Sequence, residues 1–411
     1  MIETKFKQTE LGPIPENWEV MKLGTFTNVI TGATPSTENS DYWGGNIPWM
    51  SSGELNNKII YSVAGRITKE GYESASTHML PINCVLIGLA GQGKTRGTAA
   101  INRVELCTNQ SIGAILPSLN HSSDYLYLYF DSQYKLLRSV SSGEGGRGGL
   151  SKRLLLDFDT ILPPREEQER IAEALNDIDT LIRELDTLID KKSAVMQGSI
   201  QELLSAKRRL PGFSIPWKHI ILGDTVNIYR GGSPRPIENF TTTNPNGLNW
   251  IKIGDVRPKD KYIVQTAEKI IPEGLSSTRE VHVGDFILSN SMSFGRPYIL
   301  KIDGCIHDGW LAITNYENTF DKDYLYYLLG SDSVYKQYLS LAAGSGVLNL
   351  NKKLVAAVEL DIPDIEEQLA IAAILSDMDA EITELETKRE KYAAIRQGMM
   401  QQLLTGKIRL I

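Results

Sequence analysis

The chain has 411 residues, 41% of them hydrophobic, which suits two or three domains with real cores rather than one ordinary domain. Its net charge of −7 excludes a uniformly basic nucleic-acid coat but not basic residues gathered on one face. The polar start MIETKFKQTE reads as no secretory signal, no apolar run approaches the ~20 residues of a membrane span, and Cys84, Cys107 and Cys305 share no CxxC spacing. A reduced, cytoplasmic protein is expected.

Residues 1–162 read as a first globular domain of mixed α and β character. TGATP (31–35) is a turn, NCVLIG (83–88) has the apolar density of a buried strand, and DYLYLYFDSQYKLLRSV (124–140) reads as a helix packing tyrosines and leucines inward. GLAGQGKT (88–95) satisfies GxxxxGK[ST]. A P-loop also needs a helix opening at the lysine, whose N-terminus holds the phosphates. RGTAAINRVEL follows instead, and reads as a turn into a strand. The loop is better taken as a groove-entering element, with Lys94 and Arg96 suited to guanine or phosphate and Gln92 to adenine. SSGEGGRGGLSKR (141–153) adds Arg147, Lys152 and Arg153 in a glycine-rich loop able to fold against phosphate.

Residues 163–208 predict a long helix. Pro163 and Pro164 end the preceding strand, and Glu166 and Glu167 favour the positive end of a helix dipole. Alternating steps of 4 and 3 give Ile171, Leu175, Ile178, Ile182, Leu185, Ile189, Lys192, Met196, Ser199 and Leu203. That 3.5-residue period is a coiled-coil seam. Gly198 is expected to mark a kink or a looser final segment.

Residues 209–362 predict a second mixed domain. RGGSP (230–234) is its turn, GDFILS (284–289) its buried strand and DYLYYLLGSDSVYKQYL (323–339) its inward-packing helix. SNSMSFGRP (289–297) stands where the first domain has GLAGQGKT, with no Lys-Thr. Arg230, Arg235, Lys252, Arg296, Lys352 and Lys353 are the second domain's candidates for phosphate or base contact. Residues 363–411 form a second helix, with the seam Ile371, Leu375, Met378, Ile382, Leu385, Arg389, Tyr392, Arg396, Met399 and Leu403 and a matching Gly398.

These four segments are one pair repeated. PPREEQERIAEALNDID (163–179) matches PDIEEQLAIAAILSDMD (363–379), and QGSIQELLSAKRRL (197–210) matches QGMMQQLLTGKIRL (397–410), both at an offset of 200. Trp18, Leu23, Gly24, Gly32 and Pro35 align with Trp217, Leu222, Gly223, Gly231 and Pro234, and Lys152 with Lys352. The basic pairs Lys152/Lys352 and Arg153/Lys353 weigh most among the candidates, because both copies are basic there. Residues 163–206 and 363–411 carry net charges of −5 and −3, leaving residues 1–162 and 207–362 near neutral at −1 and +2. If the seams pair, the second helix runs back antiparallel to the first. The expected fold class is therefore α+β, with two mixed domains separated by two long antiparallel helices in a coiled coil, and a pseudo-two-fold internal repeat. Such an object suits a bipartite DNA site, whose half-sites recur on one face of the duplex about every 34–36 Å.

The duplicated EEQ–IA–L helix starts and QG–LL–K–RL helix ends carry a family resemblance. TELGPIPENWEVMKLG (9–24), GQGKTRG (91–97), TNQSIG (108–113), HDGW (307–310) and GSGVLNLNKKL (344–354) add to it. Along nearly its whole length the chain resembles the specificity subunit of Type I restriction-modification systems. The resemblance implies two target recognition domains reading an asymmetric double-stranded DNA site. It implies helices that act as spacer and as dock for two methyltransferase subunits, with restriction subunits completing the complex. S-adenosylmethionine, ATP and magnesium would belong to those partners, so no cofactor and no chemistry is expected on this chain. The specificity subunit of a related two-component restriction system is an alternative, and an NTPase using Gly88–Thr95 a remoter one.

The residues themselves offer no catalytic set. No (D/N/S)PP(F/Y/W) stretch and no GxGxxG between a strand and a helix occur, and His78, His121, His219, His282 and His307 are scattered without metal spacing. His307-Asp308 is better read as a loop pair in the place of Asn109-Gln110 than as an acid–base pair.

Overall fold

The computed structural model describes residues 5–91, 93–141, 149–257, 259–290, 294–342 and 349–411. They divide into two compact units: residues 1–185 with 388–411, and residues 186–387. Each unit holds a globular domain and a segment of both long helices.

In the first unit the fully buried strand Val85–Gly88 lies at the centre of a five-stranded sheet. Ile112–Ile115 and Ala99–Asn102 pair antiparallel on its two sides, with Val29–Thr31 and Ile59–Ile60 outermost. An all-apolar strand is what a sheet covered on both faces requires. The helix Ser123–Ser132 covers one face, its start capped by Ser122, whose hydroxyl accepts from the Tyr125 amide. A second sheet joins Trp43–Met50 to Cys107–Thr108 in parallel and to Arg66–Ile67 antiparallel.

The second unit repeats this plan. Phe286–Ser289 is the buried central strand, flanked by Trp310–Thr314 and Pro297–Leu300, with Asn227–Arg230 and Tyr262–Ile263 at the edges. Leu248–Ile251 pairs in parallel with Gly304–Ile306. One expectation needs correction in both copies. The single helices read over 124–140 and 323–339 are each two helices: Ser123–Ser132 with Tyr134–Val140, and Lys322–Leu329 with Asp332–Ala342. Gln133 breaks the first at φ −87°, ψ 10°. Gly330 and Ser331 break the second, where the Ser331 hydroxyl accepts from the Val334 amide.

The long helices are Arg165–Leu203 and Ile365–Leu403, 39 residues each, or roughly 58 Å at about 1.5 Å per residue. Every seam position is buried or half-buried, from Ile171 to Leu203 and from Ile371 to Leu403. Both helices run uninterrupted through Gly198 and Gly398, so neither glycine ends the helix as a looser segment would.

Two buried clamps fix the helix ends. Glu167, only 3% exposed, accepts from Arg409 Nε and Nη2 (both 2.6 Å) and from Trp18 Nε1 (2.9 Å). Glu367, 1% exposed, accepts in the same way from Arg209 (2.7 and 2.8 Å) and Trp217 (3.1 Å). The start of each helix is thus held by the residues just beyond the end of the other. In the first unit Asp179 also accepts from Arg396 Nη2 at 3.0 Å, and in the second Lys192 pairs with Glu381 at 2.7 Å. Partner numbers fall on one helix as they rise on the other, so the packing inside each unit is antiparallel.

Gln168 and Gln368 complete the motif. Their carbonyls accept from the amides of Ser122 and Asp321, and their amide groups donate to Pro163 O and Pro363 O. The EEQ sequence is thereby explained as a domain-to-helix joint, since buried polar groups are costly unless hydrogen-bonded.

Candidate nucleic-acid interface

In each domain four loops converge. The strand pairings establish which residues are equivalent. Cys107 and Thr108 face Trp49 and Met50, whereas Cys305 and Ile306 face Trp250 and Ile251. Ile112 faces Gly88 where Trp310 faces Ser289, and Gly113 faces Thr31 where Leu311 faces Arg230. Counting along these strands makes Thr34 equivalent to Ser233, Ser36 to Arg235, Ser51 to Lys252, Asn109 to His307 and Gln110 to Asp308.

The first loop lies on the second because only glycine fits between them. A Cβ on Gly32 would lie 1.8 Å from Thr108 O, and one on Gly231 would lie 2.2 Å from His307 O. This close approach carries Thr34 over Gln110 and Ser233 over Asp308. The third loop joins next: Leu89 N donates to Ser111 O (2.8 Å), as Asn290 N does to Gly309 O (3.0 Å). The fourth is tied on by Leu150 N to Leu89 O (2.9 Å) and Leu350 N to Asn290 O (2.8 Å). The same construction therefore exists in both copies.

The candidates distribute over it as follows. Lys94 is exposed in the loop between Val85–Gly88 and Ala99–Asn102, and its carbonyl accepts from Thr98 Oγ1 (2.7 Å) and Tyr134 OH (3.2 Å). A strand follows this loop, not the helix that a phosphate-holding P-loop requires. Arg96 is half-buried, and its carbonyl and that of Gly93 accept from Arg138. Lys152 and Arg153 are exposed but open the short helix Lys152–Leu156, capped by Ser151, rather than belonging to the preceding loop; Arg153 lies 3.7 Å from Asp157. Lys352 and Lys353 open the equivalent helix Lys352–Ala356, capped by Asn351. Gln92 and Arg147 lie outside the described residues.

In the second domain Arg230 is exposed at the end of its strand. Arg296 lines a cavity of about 570 Å³ with Phe294, Tyr326 and Asp379. Arg235 and Lys252 come together elsewhere, in a cavity of about 680 Å³ also lined by Ser233, Trp250, Glu268 and His307. Lys252 is ion-paired with Glu268, and Arg235 Nη2 lies 3.7 Å from Asp308 Oδ2. Arg235 and Lys252 thus share one cavity, and Arg296 lines another.

Sequence reading passed over the polar pairs between the loops. Thr34 Oγ1 donates to Gln110 Oε1 at 2.5 Å. Ser233 Oγ donates to Asp308 Oδ1 at 3.1 Å, and His307 Nε2 lies 2.9 Å from the same oxygen. The His307 ring is oriented from behind, because Nδ1 accepts from the Gly309 amide at 2.9 Å. His307-Asp308 does occupy the place of Asn109-Gln110. Aligning the residues after Cys107 and Cys305 shows Gln110 and Asp308 as equivalent, while Thr34 and Ser233 follow from the aligned Gly32-x-x-Pro35 and Gly231-x-x-Pro234 turns. These cysteines are inert: burial pushes both thiols up to about 11, and the thiolate is the reactive form.

A family profile, "Type I restriction modification DNA specificity domain", matches residues 15–191 and again 215–394. The specificity subunit of the Methanocaldococcus jannaschii Type I restriction enzyme MjaVIII is 24% identical over 433 residues, covering 99% of this chain and 97% of the relative. The Type I restriction-modification S subunit from M. genitalium superposes with a TM-score of 0.61 at 15% identity, over 98% of this chain and 99% of that one. A chain from a study of complex assembly and conformational transition in the type I R-M system gives a TM-score of 0.63 at 15% identity, covering 96% and 99%.

Proposed function

Given that the chain belongs to the Type I restriction-modification DNA specificity family, we propose that it reads a bipartite, asymmetric double-stranded DNA site, one half-site per domain. It is a specificity subunit and not itself a catalyst. The observation that carries the reading is the pair of register-equivalent loop surfaces. They share one construction, yet present Thr34, Ser36, Ser51 and Gln110 in one copy and Ser233, Arg235, Lys252 and Asp308 in the other. Identical scaffolds with different hydrogen-bonding groups are what two different half-sites demand. Lys94, Arg96, Lys152 and Arg153 in the first domain, and Arg230, Arg296, Lys352 and Lys353 in the second, supply contacts to phosphate or base. To these the sequence adds Arg147 for phosphate and Gln92 for adenine.

The paired helices, residues 163–208 and 363–411, set the distance between half-sites and dock two methyltransferase subunits. Restriction subunits join that assembly in the cytoplasm, and S-adenosylmethionine, ATP and magnesium are held by the partners. No helix among the described residues is long and apolar enough to cross a membrane. The test is binding by the purified chain together with its methyltransferase partner, to DNA carrying the site and to scrambled DNA, at stated salt. Sequence-dependent binding is expected, with an affinity that falls steeply as salt rises. Equal binding to both DNAs would overturn the reading.

A further inference from the structure

We infer that the hydroxyl-held side chains Gln110 and Asp308 are the specificity-determining residues of the two domains, and that they read bases of opposite hydrogen-bonding character. The inference rests on the DNA-reading function proposed above. The two side chains occupy one position by strand register, at the point where the glycine-tight turn crosses the strand end.

Their chemistry differs. Thr34 Oγ1 donates to Gln110 Oε1, which occupies one of that oxygen's two acceptor sites and leaves the amide's two N–H donors without a hydrogen-bond partner among the described residues. Gln110 is exposed, so those donors meet solvent or a ligand. They suit a base acceptor: O6 or N7 of guanine, N7 of adenine, or O4 of thymine. Asp308 is acceptor-only when ionised, with a side chain 34% exposed. Ser233 and His307 both approach its Oδ1, while among the described residues Oδ2 meets the guanidinium of Arg235 at 3.7 Å. A carboxylate so placed accepts from an exocyclic amine, N4 of cytosine or N6 of adenine.

The surroundings follow the same division. Beside Asp308 stand Arg235 and His307, and Lys252, paired with Glu268, lines the same cavity as both; the equivalent positions in the first domain are the uncharged Ser36, Asn109 and Ser51. A second copy of the first domain's construction thus carries a charged reader where the first carries a neutral one.

The experiment measures base preference at every position of both half-sites, using the complex with methyltransferase and a DNA library, for the wild type, Gln110→Glu and Asp308→Asn. Asp308→Asn retains shape and an acceptor for Ser233, and assembly with the methyltransferase reports that the fold is kept. Each variant is expected to change preference at one base pair of one half-site, with discrimination against the wrong base falling about tenfold or more. Ser233→Ala, which frees Asp308 without removing it, is expected to blur the same position as Asp308→Asn. Unchanged preference in an assembled complex, or changes in both half-sites from one variant, would overturn the inference. A wild-type complex without any base preference would instead overturn the DNA-reading function itself.

Discussion

Removing the guanidinium of Arg409 tests the joint that binds each helix end to the other helix's start. Arg409 makes two 2.6 Å bonds to a carboxylate on Glu167 that is 3% exposed. In Arg409→Ala that carboxylate keeps, among the described residues, a single donor, Trp18 Nε1 at 2.9 Å. Breaking a buried pair from one side costs about 3–5 kcal/mol, because a buried charge is left uncompensated. For a unit of this size, a loss of about 3 kcal/mol lowers the melting temperature by roughly 6–12 °C. The side chain of Arg209 is 27% exposed against 11% for Arg409, so Arg209→Ala should be milder. Adding Glu167→Gln to Arg409→Ala removes the stranded charge but leaves an acceptor for Trp18, and should recover at least half of the loss. Calorimetry and denaturant titration measure all three variants. A loss below about 1 kcal/mol for Arg409→Ala, or no recovery in the double variant, would refute the reasoning.

His121 and the helical glycines give two further expectations. Burial, the largest cause, holds the His121 pKa below its ordinary 6.5, against the opposing hydrogen bonds with the Leu116 and Ser122 backbone. The fold therefore favours the neutral ring, while the unfolded chain binds a proton near 6.5, so stability falls as pH drops below that value towards the folded pKa. His121→Gln should flatten the pH dependence in that window, and an unchanged slope would contradict the assignment. At Gly198 and Gly398 an added Cβ meets nothing within 4 Å, so Gly198→Ala and Gly398→Ala should each stabilise the chain by about 0.5–1 kcal/mol through helix propensity alone. A destabilisation seen by calorimetry would show that these positions are not open.

The helices were legible in the sequence because a heptad seam is a local, periodic signal. Two of the polar seam members find acidic partners: Arg396 meets Asp179, and Lys192 meets Glu381. The duplicated EEQ was visible as a motif, but its meaning depends on Trp18 and Arg409, 149 and 242 residues away from Glu167, and no local pattern encodes such partners. The buried strands 85–88 and 286–289 were legible from apolar density, whereas the helix breaks at Gln133 and Ser331 were not, since apolar spacing continues across them. Charge points to the basic loop residues but not to Thr34 and Ser233, which are neutral. Asp308 and Gln110 are visible in the sequence as members of equivalent loop pairs, without the hydroxyls that hold them. Their grouping arises from the parallel pairing of Cys107 and Cys305 with Trp49 and Trp250, a register known only once the sheets are assembled.

Independent reading by two domains on a shared helical ruler is the central claim, and a domain exchange tests it most directly. Residues 1–155 are replaced by the same region of a relative with a different site, and the methylated motif is mapped across the genome of a strain carrying the hybrid system. The account predicts a motif with one half-site exchanged, the other half-site retained and the spacing between them unchanged; alteration of both half-sites, or of neither, would contradict it.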